Sequence, residues 1–331
     1  MSAYDPKRTL PLSLGGSKEF SVFAQLCRRA SRPYSSVMDA PNPSAIPTAA
    51  SRAPVHIGAV GLRVRDLDRV TAYYRDVLGL TVQEHTRQVA ILGVGGVALL
   101  ELIHKSDDLS DDPREAGLYH AAFLMPTRAD LARWILHAAK NRVPFTGASD
   151  HDVSEAIYLD DPEGNGVEVY SDRPREKWRH DGKLIFQKTD PLDIDAIIRE
   201  VDPATATYPS APEGLRIGHI HLRVGNVARA EAFYCGALGL DVTRRRAGAT
   251  FLSSGGYHHH VAVNVWHSNG AGTRDGKRAG LDWLAMQIND QPTIDAVKKR
   301  LAAAGITIKA IPGGFAATDP WGTSIHFTIP S

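Results

Sequence analysis

The sequence has little cysteine, no excess of one charge and no long apolar run. Its 331 residues include two cysteines, Cys27 and Cys235, which is too few for a disulfide framework or a paired-cysteine metal site. The 38 basic and 37 acidic residues are intermixed and leave a net charge of +1, which disfavours nucleic acid and anionic lipid as partners. No stretch reaches the roughly 18 apolar residues of a membrane span, and the N-terminus lacks the apolar region of a signal peptide. These absences predict a cytoplasmic globular protein that binds small molecules.

The N-terminal segment differs in composition from the rest of the chain. Residues 1–53 are rich in Ser, Pro, Ala and basic residues, and they are predicted to have little fixed structure, with an amphipathic targeting helix as the alternative. The remaining residues, in a chain that is 43% apolar, suffice for two domains.

An internal repeat organises those remaining residues. The segment HIGAVGLRVRDLDRVTAYYRDVLGLTV at 56–82 returns as RIGHIHLRVGNVARAEAFYCGALGLDV at 216–242. Each copy reads as an alternating strand, a turn and an amphipathic helix. A second strand–helix pattern at 116–145 and 279–308 leads in each case to a turn and a last strand. We therefore predict four βαβββ units, two per half, with a first module at 54–172, a linker at 173–213 and a second module at 214–331.

These motifs carry a family resemblance over residues 54–330. The unit starts LRVRDLDRVTAYYRDVLGL and ends YLDDPEGNGVEVY resemble the vicinal oxygen chelate superfamily. The segments GLYHAAFLMPTRADLARW, IGHIHLRV and GGYHHHVAVNVW resemble the CatE-type catechol 2,3-dioxygenases within it. The resemblance implies an α+β fold in which the four units pair into two open eight-stranded barrels, with metal ligands on the first and last strands of units.

The positions at which the superfamily places metal ligands are unevenly filled. Units two and three offer His120, Glu168 and His219 there, with Asn264 or Val261 on the last strand of unit three. Units one and four are depleted, since they offer Ala59, Glu101, Trp283 and His326. If units two and three share a barrel, the cleft collects two histidines and one carboxylate. Such a facial triad leaves three adjacent positions open on Fe(II), enough for both oxygens of a catechol and for dioxygen, and Mn(II) fits the same donors.

Further residues are predicted around this metal. By resemblance, Tyr158 is an active-site tyrosine and His151 a supporting histidine; the alternative is a packed tyrosine and a turn histidine. Strand alternation across HHH predicts that His258 and His260 share a face and that His259 points outward. One of His258 and His260 is then an acid–base residue, unless all three merely pack between modules.

The resemblance implies an Fe(II)-dependent extradiol dioxygenase that inserts O2 into catechol-like diols, in aromatic compound degradation; homo-oligomers are compatible with the sequence. A glyoxalase-type isomerase or lyase is one alternative, but it would use a fourth protein ligand where this chain has Asn264 or Val261. A binding protein of the bleomycin-resistance type is the other, and it has no need of an open metal triad.

Overall fold

The structure is a computed structural model and describes residues 48–328. Its first half contains two βαβββ units. The first unit comprises β1 (Val55–Val64), α1 (Leu67–Leu78), β2 (Thr81–His85), β3 (Val89–Val94) and β4 (Val97–His104). The second comprises β5 (Gly117–Leu124), α2 (Arg128–Lys140), β6 (Gly147–Asp150), β7 (Ser154–Asp160) and β8 (Gly166–Asp172).

A connecting segment with short elements leads to the second pair of units. It contains a 3-10 turn (Arg175–Lys177), the hairpin β9 (His180–Asp181) and β10 (Leu184–Ile185), and α3 (Ile194–Ile198). The third unit comprises β11 (Arg216–Arg223), α4 (Val227–Glu231) with a π-helical continuation (Ala232–Ala237), β12 (Asp241–Arg246), β13 (Ala249–Ser253) and β14 (Val261–Asn264). The fourth comprises β15 (Gly280–Ile288), α5 (Gln291–Ala303), β16 (Lys309–Ile311), β17 (Gly314–Thr318) and β18 (Ser324–Thr328).

Each unit follows its first strand with a helix that begins at a side-chain cap. A carboxylate, hydroxyl or amide oxygen accepts a hydrogen bond from the backbone N–H three residues later, which satisfies one of the free donors of the first turn. The capping residues are Asp66, Thr127, Asn226 and Asp290. The helix starts are thus encoded locally in all four units.

The units pair across the two halves of the chain. One eight-stranded sheet has the order β12-β13-β14-β11-β5-β8-β7-β6, and the other has the order β16-β17-β18-β15-β1-β4-β3-β2. The predicted α+β fold and the pairing of units two with three and one with four are therefore confirmed. We call the first sheet the inner barrel and the second the outer barrel. The names refer to chain order, because the strands of the inner barrel (residues 117–264) follow β4 and precede β15 of the outer barrel.

The N-terminal segment is described only from residue 48, so most of the predicted unstructured region, residues 1–47, lies outside the described residues. Residues 48–53 form consecutive turns. Ala50 is buried there, and its carbonyl accepts a hydrogen bond of 3.1 Å from His260 Nε2. This short stretch therefore packs against the inner barrel.

Residues 184–190, which we call the strap, lie between the two edge strands of the inner barrel. On the β6 side, the backbones of Asp150 and Asp190 exchange hydrogen bonds of 2.9 and 3.0 Å. On the β12 side, Arg246 donates to the Thr189 hydroxyl and to the Gln187 carbonyl, both at 2.8 Å. The strap thus bridges the opening between the first and last strands of this sheet. No helix among residues 48–328 is long and apolar enough to cross a membrane.

Candidate metal centre

Three neighbouring strands of the inner barrel bring together the three predicted metal ligands. His120 lies on β5, Glu168 on the parallel strand β8, and His219 on the antiparallel strand β11. Both Glu168 and His219 are register partners of Ala122, two residues along β5 from His120. The small alanine leaves the space above it to the ligands on either side.

A bulge in β11 sets the position of His219. The register shifts between Ile217 and His219, so the intervening Gly218 has no direct partner on β5. A Cβ atom on Gly218 would lie 1.9 Å from the hydroxyl oxygen of Tyr170. Only glycine lets the Tyr170 ring lie across this point, and that ring packs against His219 at 4.9 Å between centroids.

The three side chains converge on one point in the barrel interior. The Nε2 atoms of His120 and His219 lie 3.0 and 3.2 Å from the same oxygen, Oε2 of Glu168. One potential ligand atom from each residue lies within 4.8 Å of the other two, and all three residues are buried. Within residues 48–328 this is the one cluster of three or more such side chains.

This donor set fits a divalent transition metal. Bonds of about 2.1 Å from one ion to nitrogen and oxygen place neighbouring donors about 3 Å apart, as observed between Glu168 and each histidine. Burial alone would raise the pKa of Glu168, but His219 and His120 lower that pKa well below its usual range. The carboxylate is therefore in the ionised form that a metal requires.

Tyr158 and His151 form a hydrogen-bonded pair beside the triad. Tyr158 is the register partner of Glu168 on the neighbouring strand, and its ring lies 5.6 Å from that of His120. His151 Nδ1 donates to the Lys188 carbonyl at 2.9 Å, so its Nε2 accepts from the Tyr158 hydroxyl at 2.7 Å. Burial lowers the pKa of His151 and raises that of Tyr158, which keeps both groups neutral.

The histidine run precedes strand β14, which begins at Val261. Strand alternation therefore does not apply to it, and the prediction that His259 points outward is wrong. The ring of His259 is buried and lies 4.1 Å from that of His219 between centroids. His258 stands behind it, because His258 Nδ1 lies 2.8 Å from His259 Nδ1 while its Nε2 donates to Asp172 at 3.0 Å.

His260 is directed away from the three ligands. Its Nδ1 accepts from the Ser254 backbone N–H at 3.2 Å and its Nε2 donates to the Ala50 carbonyl. Burial lowers the pKa of His260 to about 3, so the neutral ring fastens residues 48–53 to the barrel. The structure thus brings His259, and not His260, to the triad.

Sequence reasoning missed several residues of the cleft. Arg246 on β12 is near enough to lower the pKa values of both His151 and Tyr158, although burial affects each of them more. Tyr119 occupies a bulge in β5 and packs edge-on to His221 at 4.8 Å. The Nε2 atom of His221 lies 3.0 Å from the amide nitrogen of Asn264. The sequence pattern places the strap within the predicted linker, residues 173–213, and gives no sign of its contacts with the cleft.

The outer barrel carries no comparable donor set among its described residues. Trp283 occupies the place of His120, and its indole stacks on His326 at 4.8 Å between centroids and 11° between planes. A Cβ atom on Gly61 would lie 2.1 Å from the indole nitrogen, so the ring covers this glycine. An aromatic stack therefore fills the region equivalent to the candidate metal site.

Known proteins resemble the chain over most of its length. Residues 56–169 and 216–327 match the model of the glyoxalase/bleomycin resistance protein/dioxygenase superfamily. A catechol-2,3-dioxygenase from Bacillus subtilis (strain 168) is 36% identical over 281 residues, which cover 83% of this chain and 97% of the relative. A biphenyl-2,3-diol 1,2-dioxygenase from Rhodococcus globerulus is 31% identical over 123 residues, 34% of this chain and 60% of the relative.

Solved structures agree on the fold. A Bacillus subtilis protein of known structure superposes with a TM-score of 0.56 at 14% identity, covering 83% of this chain and 84% of that one. A glyoxalase I variant from Zea mays superposes with a TM-score of 0.51 at 17% identity, covering 85% of this chain and 95% of that one. The family model matched over residues 56–169 and 216–327, together with the 36% identical relative, shows that the chain belongs to the glyoxalase/bleomycin resistance protein/dioxygenase superfamily.

Proposed function

We propose that the protein is an Fe(II)-dependent extradiol dioxygenase that cleaves the ring of catechol-like diols with dioxygen. The observation that carries the proposal is the buried set of two histidines and one carboxylate, which converge from three neighbouring strands. This donor set is the one found at non-haem iron sites with open coordination positions. The two dioxygenase relatives named above, one of them matched over nearly its whole length, support the same reaction class.

In this proposal His120, Glu168 and His219 hold the iron, which supplies the redox chemistry between diol and dioxygen when bound. The protein itself provides position, charge and the exclusion of water. The three ligands are each at most 4% exposed, and the strap lies across the opening of their barrel. An interior closed to water strengthens the electrostatic interactions of the bound diol and keeps water away from the reacting groups.

The proposed role of Tyr158 and His151 is to move a proton. The Tyr158 hydroxyl donates to His151 Nε2, so a proton that leaves a diol oxygen can pass to Tyr158 while Tyr158 releases its own to His151. The Lys188 carbonyl fixes the ring orientation of His151 for this task. His259 faces the cluster from the other side, with His258 and Asp172 hydrogen-bonded in series behind it. We therefore propose His259 as the second acid–base group, with His258 supporting it.

The alternative reactions have less support. An isomerase of the glyoxalase type would use four protein ligands, whereas the cluster within residues 48–328 has three members. The Asn264 side chain, considered as a fourth ligand, instead contacts His221. A non-enzymatic binding protein has no use for buried donors that leave metal positions open.

The decisive experiment is to purify the protein anaerobically, add Fe(II) and catechol, and then admit oxygen. The proposal predicts oxygen uptake that matches the formation of a yellow ring-opened product. A parallel sample loaded with Mn(II) decides between the two metals, since the donor set accepts both. Protein that binds iron and catechol but consumes no oxygen would refute the dioxygenase assignment.

A further inference from the structure

The strap contains a buried side-chain nitrogen that has no hydrogen-bond partner in the described protein. Gln187 is 4% exposed, and its amide nitrogen has no hydrogen-bond partner within residues 48–328. A buried amide donor without a partner is unfavourable in a folded protein and needs an explanation. A ligand that brings an acceptor oxygen to this nitrogen is one.

The alternation of exposed and buried residues along the strap places Gln187 on the side that faces the inner barrel. Leu184 and Phe186 are exposed, whereas Ile185 and Gln187 are buried. Ile185 belongs to the same apolar cluster as Tyr158 and thus faces the interior. Gln187 is buried like Ile185, and unlike the exposed Phe186 between them, so Gln187 shares the inward side of the strap with Ile185.

Backbone contacts on both sides place Gln187 within the cleft. Its own carbonyl accepts from Arg246, and the carbonyl of the next residue, Lys188, accepts from His151. His151 in turn holds Tyr158, the register partner of Glu168. The backbone at Gln187 is therefore held between Arg246 and the His151–Tyr158 pair, and its buried side chain belongs to this part of the barrel.

The charge of this region defines the ligand group further. The Arg246 guanidinium lies 2.8 Å from the backbone carbonyl of Gln187 and adds a positive potential to this part of the barrel. An N–H donor next to a cation favours an oxygen that carries full or partial negative charge. A methyl or other apolar group would leave the amide nitrogen unsatisfied.

We propose that Gln187 is a specificity residue, whose amide nitrogen donates to a carbonyl or carboxylate oxygen on the ring substituent of the diol. The proposal rests on the proposed function for the diol itself and adds the substituent class. It predicts that the protein prefers catechols with an acetyl or acetate group over a catechol with a methyl group.

The test compares these three catechols with the wild-type protein and with Gln187→Leu, which keeps the size of the side chain and removes the amide. In the wild type we expect higher kcat/KM for the acetyl and acetate compounds. In Gln187→Leu we expect their kcat/KM to fall about tenfold, the usual scale of a lost hydrogen bond to a polar substrate, with the methyl compound unchanged. Gln187→Glu should impair the acetate compound more than the acetyl compound.

Phe186→Leu is the matched control, because it changes the outward neighbour on the same strap and should leave the ratios unaltered. Equal losses for all three catechols in Gln187→Leu, or no wild-type preference for the oxygen-bearing compounds, would overturn the proposal. Anaerobic calorimetry of metal-loaded protein provides a second readout. If no catechol is turned over but binding of the acetyl and acetate compounds still depends on Gln187, the reaction is misassigned and the specificity residue stands. If all three catechols are turned over and none of them depends on Gln187, Gln187 alone is misassigned.

Discussion

The inner and outer barrels have the same strand order but place different side chains at matching positions. Glu168 stands opposite Ala122 in the inner barrel, and His326 stands opposite Ala285 at the same point of the outer barrel. The tyrosine opposite Glu168 has an alanine, Ala316, as its counterpart opposite His326. The fold therefore supplies the positions in duplicate, while among residues 48–328 the donor atoms occur together in the inner barrel alone.

The outer barrel uses its equivalent space for packing. The Trp283 indole covers Gly61 and stacks on His326, where the inner barrel has His120, His221 and Glu168. A large aromatic ring fills the volume that a metal and a small substrate would otherwise need. We infer that the inner barrel carries out the reaction and that the outer barrel has a structural role. Substitutions in either barrel can test this difference.

The largest expected effect is complete loss of the metal from the inner barrel. His219→Ala removes one of three ligands, so iron retained after dialysis should fall from one ion per chain to almost none, with no oxygen uptake. His326→Ala is the matched control in the outer barrel and should keep both the iron and most of the activity. Metal loss in His326→Ala but not in His219→Ala would mean that the metal binds in the outer barrel, and the proposed site would be wrong.

A second test concerns the residues that stand beside the ligands only in the inner barrel. Tyr158→Phe and His151→Phe should each retain iron and lower kcat by about 100-fold, the usual scale for an acid–base group. Iron content and oxygen uptake measured on the same samples separate the two effects.

Tyr74→Phe is the control for the tyrosine, because it removes a buried hydroxyl that contacts Asp161 and lies outside the triad. Its kcat should stay close to that of the wild type. Iron loss from Tyr158→Phe would mean that the hydroxyl supports the ligands and not the substrate.

A third test asks whether the outer barrel can acquire the missing donors. The triple variant Ala59→His, Trp283→His and His326→Glu rebuilds the donor set of the inner barrel at matching positions and removes the indole. Titration with Fe(II) should then show a second, weaker equivalent per chain. Trp283→His alone supplies a single new donor and should bind no more metal than the wild type. A triple variant that folds and still binds one equivalent would show that the two barrels differ in backbone geometry as well as side chains.

The smallest expected effect concerns His260, which fastens residues 48–53 to the inner barrel. Its pKa is about 3 in the fold, against an ordinary value of about 6.5, so below pH 6.5 the unfolded chain takes up a proton that the folded protein does not. Because the buried ring stays neutral, the free energy of unfolding decreases as the pH falls below 6.5. Between pH 7 and pH 5, His260→Gln should lose about 2 kcal/mol less free energy of unfolding than the wild type.

Urea unfolding at the two pH values measures this difference. Glutamine keeps a side-chain donor for the Ala50 carbonyl, so the comparison isolates the titration. Equal losses in both proteins would mean that His260 is protonated in the fold as well.

The sequence predicted the pairing of the units because two units lack a full set of ligands at the same time. Ala59 and Trp283 cannot bind a metal, and they lie in units one and four, which the structure joins through β1 and β15. The repeat also located the helices, since each begins at a local capping residue. These features depend on short segments and on side-chain type alone.

The details around the triad depended on features that alternation does not reveal. The histidine run was read as strand, but β14 begins at Val261 and the loop before it turns His259 inward. The contact between Gln187 and Arg246 could not be predicted from the sequence, because it forms only where the strap crosses between two edge strands. Such contacts join residues 59 positions apart and have no periodic signature in the sequence.

The nesting of one barrel within the other in the chain also bears on how the protein folds as it is synthesised. His56 on β1 forms a hydrogen bond with Gln287 on β15, 231 positions away in the chain. All strands of the inner barrel, in contrast, lie within residues 117–264. At about 5 to 20 residues per second, β1 leaves the ribosome roughly 10 to 50 seconds before its partner strand. During that interval one edge of β1 is unpaired and open to association with other chains. Slow translation or weakened β1–β15 pairing should therefore reduce the yield of folded protein through aggregation of the first unit, even when the strands of the inner barrel have already assembled.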